Sequence, residues 1–369
     1  MEKINKYQLF AMIILFLIGS STLFELGIDA KQDAWIAVII GMLASLVLLL
    51  LFLSIQKQEP DKNISQIFVH YFGSLFGSLL VILYSLYFMY ESMRNIRDFG
   101  ELTLMTFLPQ TPIAIVMLIM VVLSLYAIYK GIEVVFRIGE FILPGVLFFH
   151  LLLFVLYICS DIVHFDNLLP ILENGLLPVV KKTYPEPIYF PFGQMVIFLM
   201  FWSYLNEQEK LIKTSLYAYL TSGILIMLHS LFNVVILGTT YTKISNIALL
   251  SSVRIIQIAD VFERFDALVI LLIFAGLFIK ATLWYLAAVL GLGQILKKDY
   301  RKLAFPVGII LYGACFLEPN WVTHLWIGDI IANKYYVNPI FIIILPLLLF
   351  FVILVRKGLT KKKDPIAKY

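Results

Sequence analysis

Residues 9–26 read LFAMIILFLIGSSTLFEL, and this stretch decides the fold. Apolar residues run without interruption from Leu9 to Ile18, give way to Gly19, Ser20, Ser21 and Thr22, and resume at Leu23, Phe24 and Leu26. A helix needs about 20 mainly apolar residues to cross a hydrocarbon core, so the stretch can span a membrane only if the polar interlude lies inside it. Lys3 and Lys6 ahead of the run give it the outline of a secretory signal, with the small residues as a cleavage region. The resumption of the apolar pattern and nine further runs of the same kind favour an uncleaved first span.

Those runs lie near 8–27, 34–55, 75–99, 112–129, 141–160, 188–205, 213–238, 266–293, 303–318 and 338–355. The chain is 61% hydrophobic and 14% charged, with a mean hydropathy of +0.94. Soluble domains average about 25% charged, so this composition is suited to lipid. The expected architecture is all-α and integral to the membrane: one domain over 1–356 with about ten transmembrane helices, then a basic tail over 357–369. The net charge of +4 does not indicate nucleic acid, because the 28 Lys and Arg are dispersed between apolar runs. Cys159 and Cys315, distant in sequence and at the ends of apolar runs, read as two buried thiols; no disulfide framework or zinc pattern is available.

With the N-terminus placed inside, 18 Lys and Arg fall on inner segments and 9 on outer ones, with Lys280 left within a span. The bias predicts both termini in the cytoplasm. The longer loops, near 161–187 and 239–265, then face outward as candidate lids. Dividing the runs at the first of these loops gives two sets of five, 1–165 and 187–356, and an odd number of spans inverts the second set. Phe190-Pro191-Phe192-Gly193-Gln194 interrupts the sixth run as Gly19 to Thr22 interrupts the first. Matched breaks in inverted repeats point to a midplane binding site, because unwound backbone leaves polar groups that hydrocarbon penalises. A packing kink is the competing reading of each break.

On the third run Tyr84, Tyr87, Glu91, Arg94 or Asn95, and Asp98 recur every three or four residues and share a face. At ~1.5 Å per residue from Leu75, Glu91 lies about 24 Å up, beyond the midplane. The stripe reads as a vestibule wall, or, for Arg94, Arg97 and Asp98, as ion pairs anchoring the helix at the interface. Lys280 stands alone near the middle of an apolar run, where an ammonium costs at least ~2.5 kcal/mol. It is expected either to lie against the first break and donate to its carbonyls, supplying positive charge there, or to snorkel to an aqueous cavity. Gly276 on its face would let a neighbouring helix approach closely. Glu25, Asp29 and Asp33 read as loop charges, His229 and Asn233 as interhelical hydrogen-bonding groups, and Trp321 and Trp326 as an interfacial aromatic belt. No G-x-S-x-G, Walker loop, H-E-x-x-H or G-x-G-x-x-G in a strand–helix context is present, so an enzyme and an ATP-driven pump are not expected.

Three patterns together carry a family resemblance: Lys6-Tyr7-Gln8-Leu9-Phe10 leading into the first break, Pro191-Phe192-Gly193-Gln194 opening the sixth run, and Ala287-Ala288-Val289-Leu290-Gly291-Leu292-Gly293-Gln294 closing the eighth. With them the chain resembles the B subunit of spore-germination nutrient receptors, the GerAB-type permeases of the amino acid–polyamine–organocation superfamily. The resemblance implies a LeuT-like 5+5 fold and a pocket between spans one, three, six and eight that binds an amino acid, sugar or nucleoside. It implies A and C partner subunits in the inner membrane of a spore, and no cofactor or metal. The pocket would draw on Gly19, Ser20, Ser21 and Thr22, on Gly193 and Gln194, on Thr282, and on Tyr87 or Glu91. The roles of Glu91 and Lys280 rest on the physical argument alone. A receptor subunit that binds a nutrient and triggers germination is the expected function, with a proton-coupled amino acid permease acting alone as the alternative.

Overall fold

The computed structural model describes residues 2–256, 265–330 and 337–363. Among them seven helical segments are long and apolar enough to cross a bilayer. Three shorter segments complete the series of ten predicted crossings. These are α1 (Lys6–Gly19), a 3-10 run over Phe192–Met200 and Trp202–Tyr204, and α11 (Tyr300–Ala314). The long helices are α2 (Ala34–Gln58), α3 (Ile64–Thr106), α4 (Ile113–Lys130), α5 (Ile132–Cys159), α8 (Leu211–Ile244), α10 (Asp266–Leu296) and α13 (Leu345–Lys363). Short helices α6 (Leu176–Thr183), α7 (Glu186–Tyr189), α9 (Ala248–Arg254) and α12 (Trp321–Ile327) lie between them.

The molecule is inverted relative to a soluble protein, with large apolar side chains on its outside. Leu75, Phe141, Leu151, Ile158 and Leu317 are all exposed, as residues facing lipid tails are. The inside is apolar too, but it carries buried polar groups such as Gln194, Glu91, Lys280 and His229.

Asn5 starts α1 as a reciprocal cap: its side chain accepts from the backbone of Tyr7 and Gln8, and the Gln8 side chain accepts from the Asn5 N–H. Asn63 and Gln66 cap α3 in the same manner. The helix expected over 8–27 stops at Gly19; turns and a short 3-10 segment, Ile28–Asp33, carry the chain on to α2. The third span begins earlier than its apolar run, at Ile64, and bends at Gly73, whose φ of 80° is open to glycine. Only the part after that bend coincides with the run predicted over 75–99.

The pairing of α3 with α10 is the most extensive in the fold, and Ser92 Oγ pins it by donating to the Ala281 carbonyl at 2.9 Å. Helix α1 packs among α5, α8 and α10 and is almost wholly buried. Its closest approach is at Gly19, where a Cβ would meet the Gly276 carbonyl oxygen at 2.7 Å. This is the close approach the sequence predicts for Gly276.

The face that carries the N-terminus also carries the end of α13, since Lys357 Nζ lies 2.6 Å from the Gln58 carbonyl at the end of α2. Here Ile4 pairs in parallel with Leu205, through Ile4 N–H to Tyr204 O and Asn206 N–H to Ile4 O, both 2.9 Å. Glu2 binds Arg301 and accepts from Tyr300 Oη and from the Ile132 N–H, so the end of the sixth span, the start of α5 and the start of α11 all meet the first residues of the chain. Glu59 gathers the α2–α3 loop on this face: burial would raise its carboxyl, but hydrogen bonds from Tyr71, Lys62 and Lys357 outweigh that and hold it at about 2.

On the opposite face the 161–187 loop is ordered against the segment after the first break, with Gln32 Nε2 donating to Pro170 O and Lys182 Nζ to Asp29 O. Of the other predicted lid, residues 239–244 continue α8 and Ala248–Arg254 form α9; residues 257–264 lie outside the described residues. One expectation needs correcting: Cys159 is exposed on α5, whereas Cys315 is buried as expected. Trp321 stacks on the buried His324 ring at 5.3 Å, and Trp326 is exposed.

Candidate functional site

A cavity of about 350 Å3 lies where the first break, α3 and the start of the sixth span converge. Its lining includes Ser20 and Phe24 from the break, Glu91, Arg94, Asn95 and Asp98 from α3, and Phe190 and Gln194 from the sixth span. Leu325, Gly328 and Asp329, from α12 and the residues after it, lie at its mouth with Glu186.

Two polar pairs set its chemistry. Lys280 Nζ donates to Ser20 Oγ at 2.8 Å and lies 4.4 Å from the centre of the Phe190 ring and 5.3 Å from that of Phe16. The expectation that Lys280 would donate to carbonyls of the break is therefore corrected: its partner is a side-chain hydroxyl, because the turn after Gly19 points Ser20 back at α10. Gln194 Nε2 donates to Glu91 Oε2 at 2.9 Å, joining the sixth span to α3. Gln194 Oε1 and Asn95 Oδ1 are buried without a hydrogen-bond partner among the described residues. Both residues line the cavity, so beside the Glu91 carboxylate stand two unused acceptors. Buried acceptors without partners are costly, which marks them for a donor from outside the chain.

Carboxyl groups also gather at the mouth. Burial raises the Glu186 carboxyl, at the start of α7, to about 7, and the nearby carboxylates of Asp329 and Asp29 add to the rise.

Other predicted residues are placed differently. Tyr87 stands beside the cavity: its hydroxyl donates to Asn338 Oδ1 at 3.1 Å and its ring stacks on Phe341 at 4.6 Å. Gly19 faces Gly276, and Gly193 faces Ile188 O and Ile342, so each serves packing at its break. Thr282 pairs with Ser124 on α4 at 2.9 Å, on the side of α10 away from the break. Ser21 donates to the Ile18 carbonyl, and Ser21 and Thr22 line a second, much smaller cavity.

Sequence reasoning missed the closure over the mouth. His324 is fully buried, with Nε2 2.7 Å from Asp98 Oδ1 and Nδ1 bound to Glu318. Arg94 Nη1 donates to the His324 carbonyl at 2.7 Å and lies 3.4 Å from Glu318 Oε1. The two readings of Arg94 and Asp98 are thereby joined: ion pairs they are, and they form part of the cavity wall. Burial alone would lower the His324 pKa, but the Asp98 charge and hydrogen bonds to Asp98 and Glu318 raise it above 6.5. The Glu318-to-His324 spacing was the available signal; its partner on α3 was not readable. Asn233 makes the expected interhelical bond, accepting at Oδ1 from Ser252 Oγ of α9 at 3.1 Å, and its amide also donates to Glu25 at 2.7 Å, so Glu25 is not a solvated loop charge; His229, expected to bond likewise, makes no hydrogen bond among the described residues. Asp33, also expected in a loop, is buried and accepts from Leu172 N–H at 3.0 Å.

The sequence profile of a family described as "Spore germination protein" matches residues 3–320. The chain belongs to the spore germination protein family. Spore germination protein KB of Bacillus subtilis (strain 168) is 34% identical over 366 residues, covering 98% of each chain. Spore germination protein YndE of the same organism is 20% identical over 342 residues, covering 90% of this chain and 92% of its own. In structure this spore germination protein is similar to Mhp1, a nucleobase-cation-symport-1 family transporter solved in a closed conformation with bromovinylhydantoin bound. The TM-score is 0.58 at 14% identity, over 92% of this chain and 78% of Mhp1. The likeness shows the LeuT-like fold, with spans one and six broken, that the family resemblance implies. The chain is thus a membrane protein of transporter-like fold and of the spore germination permease family.

Proposed function

We propose that this chain is the membrane subunit of a spore germinant receptor, and that an amine-bearing nutrient, an amino acid, binds in the 350 Å3 cavity and triggers germination. The observation that carries the reading is the set of acceptors at one end of the cavity. Glu91, Gln194 Oε1 and Asn95 Oδ1 offer three oxygens to an ammonium group that can donate three hydrogen bonds. The Lys280–Ser20 pair at the first break supplies the opposite polarity for a carboxylate. Binding in the middle of the two broken spans biases an equilibrium between two packings of the repeats, 1–165 and 187–356, provided that affinity differs between them.

On this reading the chain works with A and C partner subunits in the inner membrane of the spore, with both termini in the cytoplasm. The excess of Lys and Arg on the terminal face supports that orientation. It performs no catalysis. The second reading, a proton-coupled amino acid permease acting alone, is favoured by the transporter-like fold.

Deleting the gene in its host and testing single nutrients separates the two. The receptor reading expects loss of germination towards one nutrient or nutrient class. A deletant that germinates normally but no longer takes up one amino acid would establish the permease instead.

A further inference from the structure

Helices α4 and α11 pack against each other in opposite directions. Tyr312 Oη donates to the Ala114 carbonyl at 3.2 Å, and a Cβ on Gly308 would lie 3.6 Å from the Val121 side chain. Continuing that register brings Lys130, at the end of α4, level with the start of α11. The next residue bears this out, since a Cβ on Gly131 would meet Arg301 Nη2 at 2.7 Å. The junction therefore lies beside Glu2, on the face that carries the N-terminus.

Lysines gather here. Lys130 closes α4, Lys297 and Lys298 lead into α11, and Lys302 lies in its first turn; all are exposed, and none has an ion pair among the described residues. The carboxylates at the junction are committed to other groups. Glu2 takes Arg301, Tyr300 and the Ile132 N–H, Asp299 caps α11 by accepting from the Arg301 N–H at 3.0 Å, and Glu133 pairs with Arg137 at 2.6 Å. One turn further into the spans the surface becomes apolar and aromatic, with Tyr126, Tyr129, Phe305 and Ile309 exposed. Lys130 Nζ lies 5.2 Å from the centre of the Tyr126 ring. Exposed tyrosines at the end of a span mark the level of the lipid headgroups.

We infer that the α4–α11 junction is a binding site for one anionic phospholipid, its phosphate among Lys130, Lys298 and Lys302 and its acyl chains along Tyr129, Phe305 and Ile309. Ammonium groups held together without carboxylate partners repel one another, and an anion between them relieves the repulsion. Lysine meets phosphate as a mobile point charge, which suits a headgroup that approaches from the membrane plane. Basic pockets between helices at the membrane surface take such headgroups for this reason. The apolar floor directly beneath the charges favours an amphiphile over free phosphate, because exposed lysines alone are screened by salt within about 10 Å. A lipid held there ties the end of α4 to the start of α11 beside the Glu2–Arg301 pair, and so braces the junction on which the first residues of the chain rest.

The test is thermal unfolding of the purified full-length protein in a neutral detergent, titrated with phosphatidylglycerol, with phosphatidylcholine, or with inorganic phosphate at matched ionic strength. Saturable stabilisation by phosphatidylglycerol alone is expected. Lys298→Gln/Lys302→Gln should raise its half-saturating concentration by roughly fivefold or more. Lys210→Gln/Lys213→Gln, which removes two exposed lysines from the same face at the start of α8, should leave that concentration unchanged. Lys130→Gln, on the other helix, is expected to act in the same direction as the first pair and carries the test if that pair fails to fold. Equal losses in the two double variants would reduce the effect to bulk surface charge and overturn the site. It would also be overturned by equal stabilisation from phosphatidylcholine or inorganic phosphate, by the absence of a saturable response to phosphatidylglycerol, or by an unchanged response in Lys130→Gln together with either an unchanged response or misfolding in Lys298→Gln/Lys302→Gln.

Discussion

Lys280 Nζ donates to Ser20 Oγ across 2.8 Å, so a buried ammonium in the middle of α10 is anchored on the unwound part of the first span. A hydrogen bond to a charged group contributes about 1.5–3 kcal/mol. Lys280→Met is expected to reduce the nutrient response by at least roughly tenfold, and Ser20→Ala by less, since the ammonium can turn to the neighbouring carboxylate side. Dose–response curves of germination in spores carrying each variant check this; an unaltered response in Lys280→Met would remove the lysine from the mechanism.

Glu91 and Gln194 form the other polar pair. Glu91→Gln keeps the shape and the packing but deletes the charge, and it is expected to weaken an amine-bearing nutrient by about 1.5–3 kcal/mol, or roughly 10- to 150-fold. A nutrient without an ammonium group should be affected far less. Isothermal titration with an amino acid and its deaminated analogue measures the difference directly; equal losses for both would show that Glu91 does not read the amine.

The contact between Gly19 and Gly276 is backbone against backbone, a Cβ on Gly276 lying 2.5 Å from Gly19 Cα. No flexible side-chain end can give way there. Gly276→Val is expected to lower stability by more than the ~1–3 kcal/mol typical of overpacking, and Gly276→Ala by an intermediate amount. Thermal unfolding in detergent, followed by size-exclusion recovery, provides the measurement.

The outer closure should respond to pH with a defined sign. His324, in α12 outside the spans, has its pKa raised above 6.5 by Asp98 and Glu318, against burial and the nearby Arg94. Its stabilisation is fully present below pH 6.5 and is lost as pH rises through the folded value. The wild type is expected to exceed His324→Gln in stability at pH 6 and to lose most of that advantage under alkaline conditions. Protease resistance of the 318–328 segment against pH reads this; an advantage that grew with pH would reverse the assignment.

Much of this molecule was legible from one line of residues, and the reasons differ by region. Apolar runs identify spans because lipid tolerates little else, and the breaks at Gly19–Thr22 and Phe190–Gln194 stand out because polar, unwound backbone is expensive there. Lys280 was identifiable for the same reason. The partners were not. Nothing local to Glu91 predicts Gln194, 103 residues away, and nothing local to Glu25 predicts Asn233, 208 residues away. Glu25 illustrates the cause: in sequence it follows the break towards a run of charges and looks solvated, whereas the short 3-10 turn after it folds the chain back against α8. Thr282 shows the converse, a residue two positions from Lys280 that faces α4 because two steps along a helix turn the side chain by about 200°.

The strand-like pairing of Ile4 with Leu205 has a practical consequence. Residues 2–5 act as a splint between the end of the sixth span and the start of α11, which carries Arg301, so they report on that junction. Lys3 is exposed between two residues that are fixed, Glu2 and Ile4. A fluorophore or spin label attached there after replacement by cysteine would register separation of the sixth span from its surroundings in real time. For the same reason, a bulky affinity tag abutting Glu2 would wedge the junction apart and change the protein it was meant to purify.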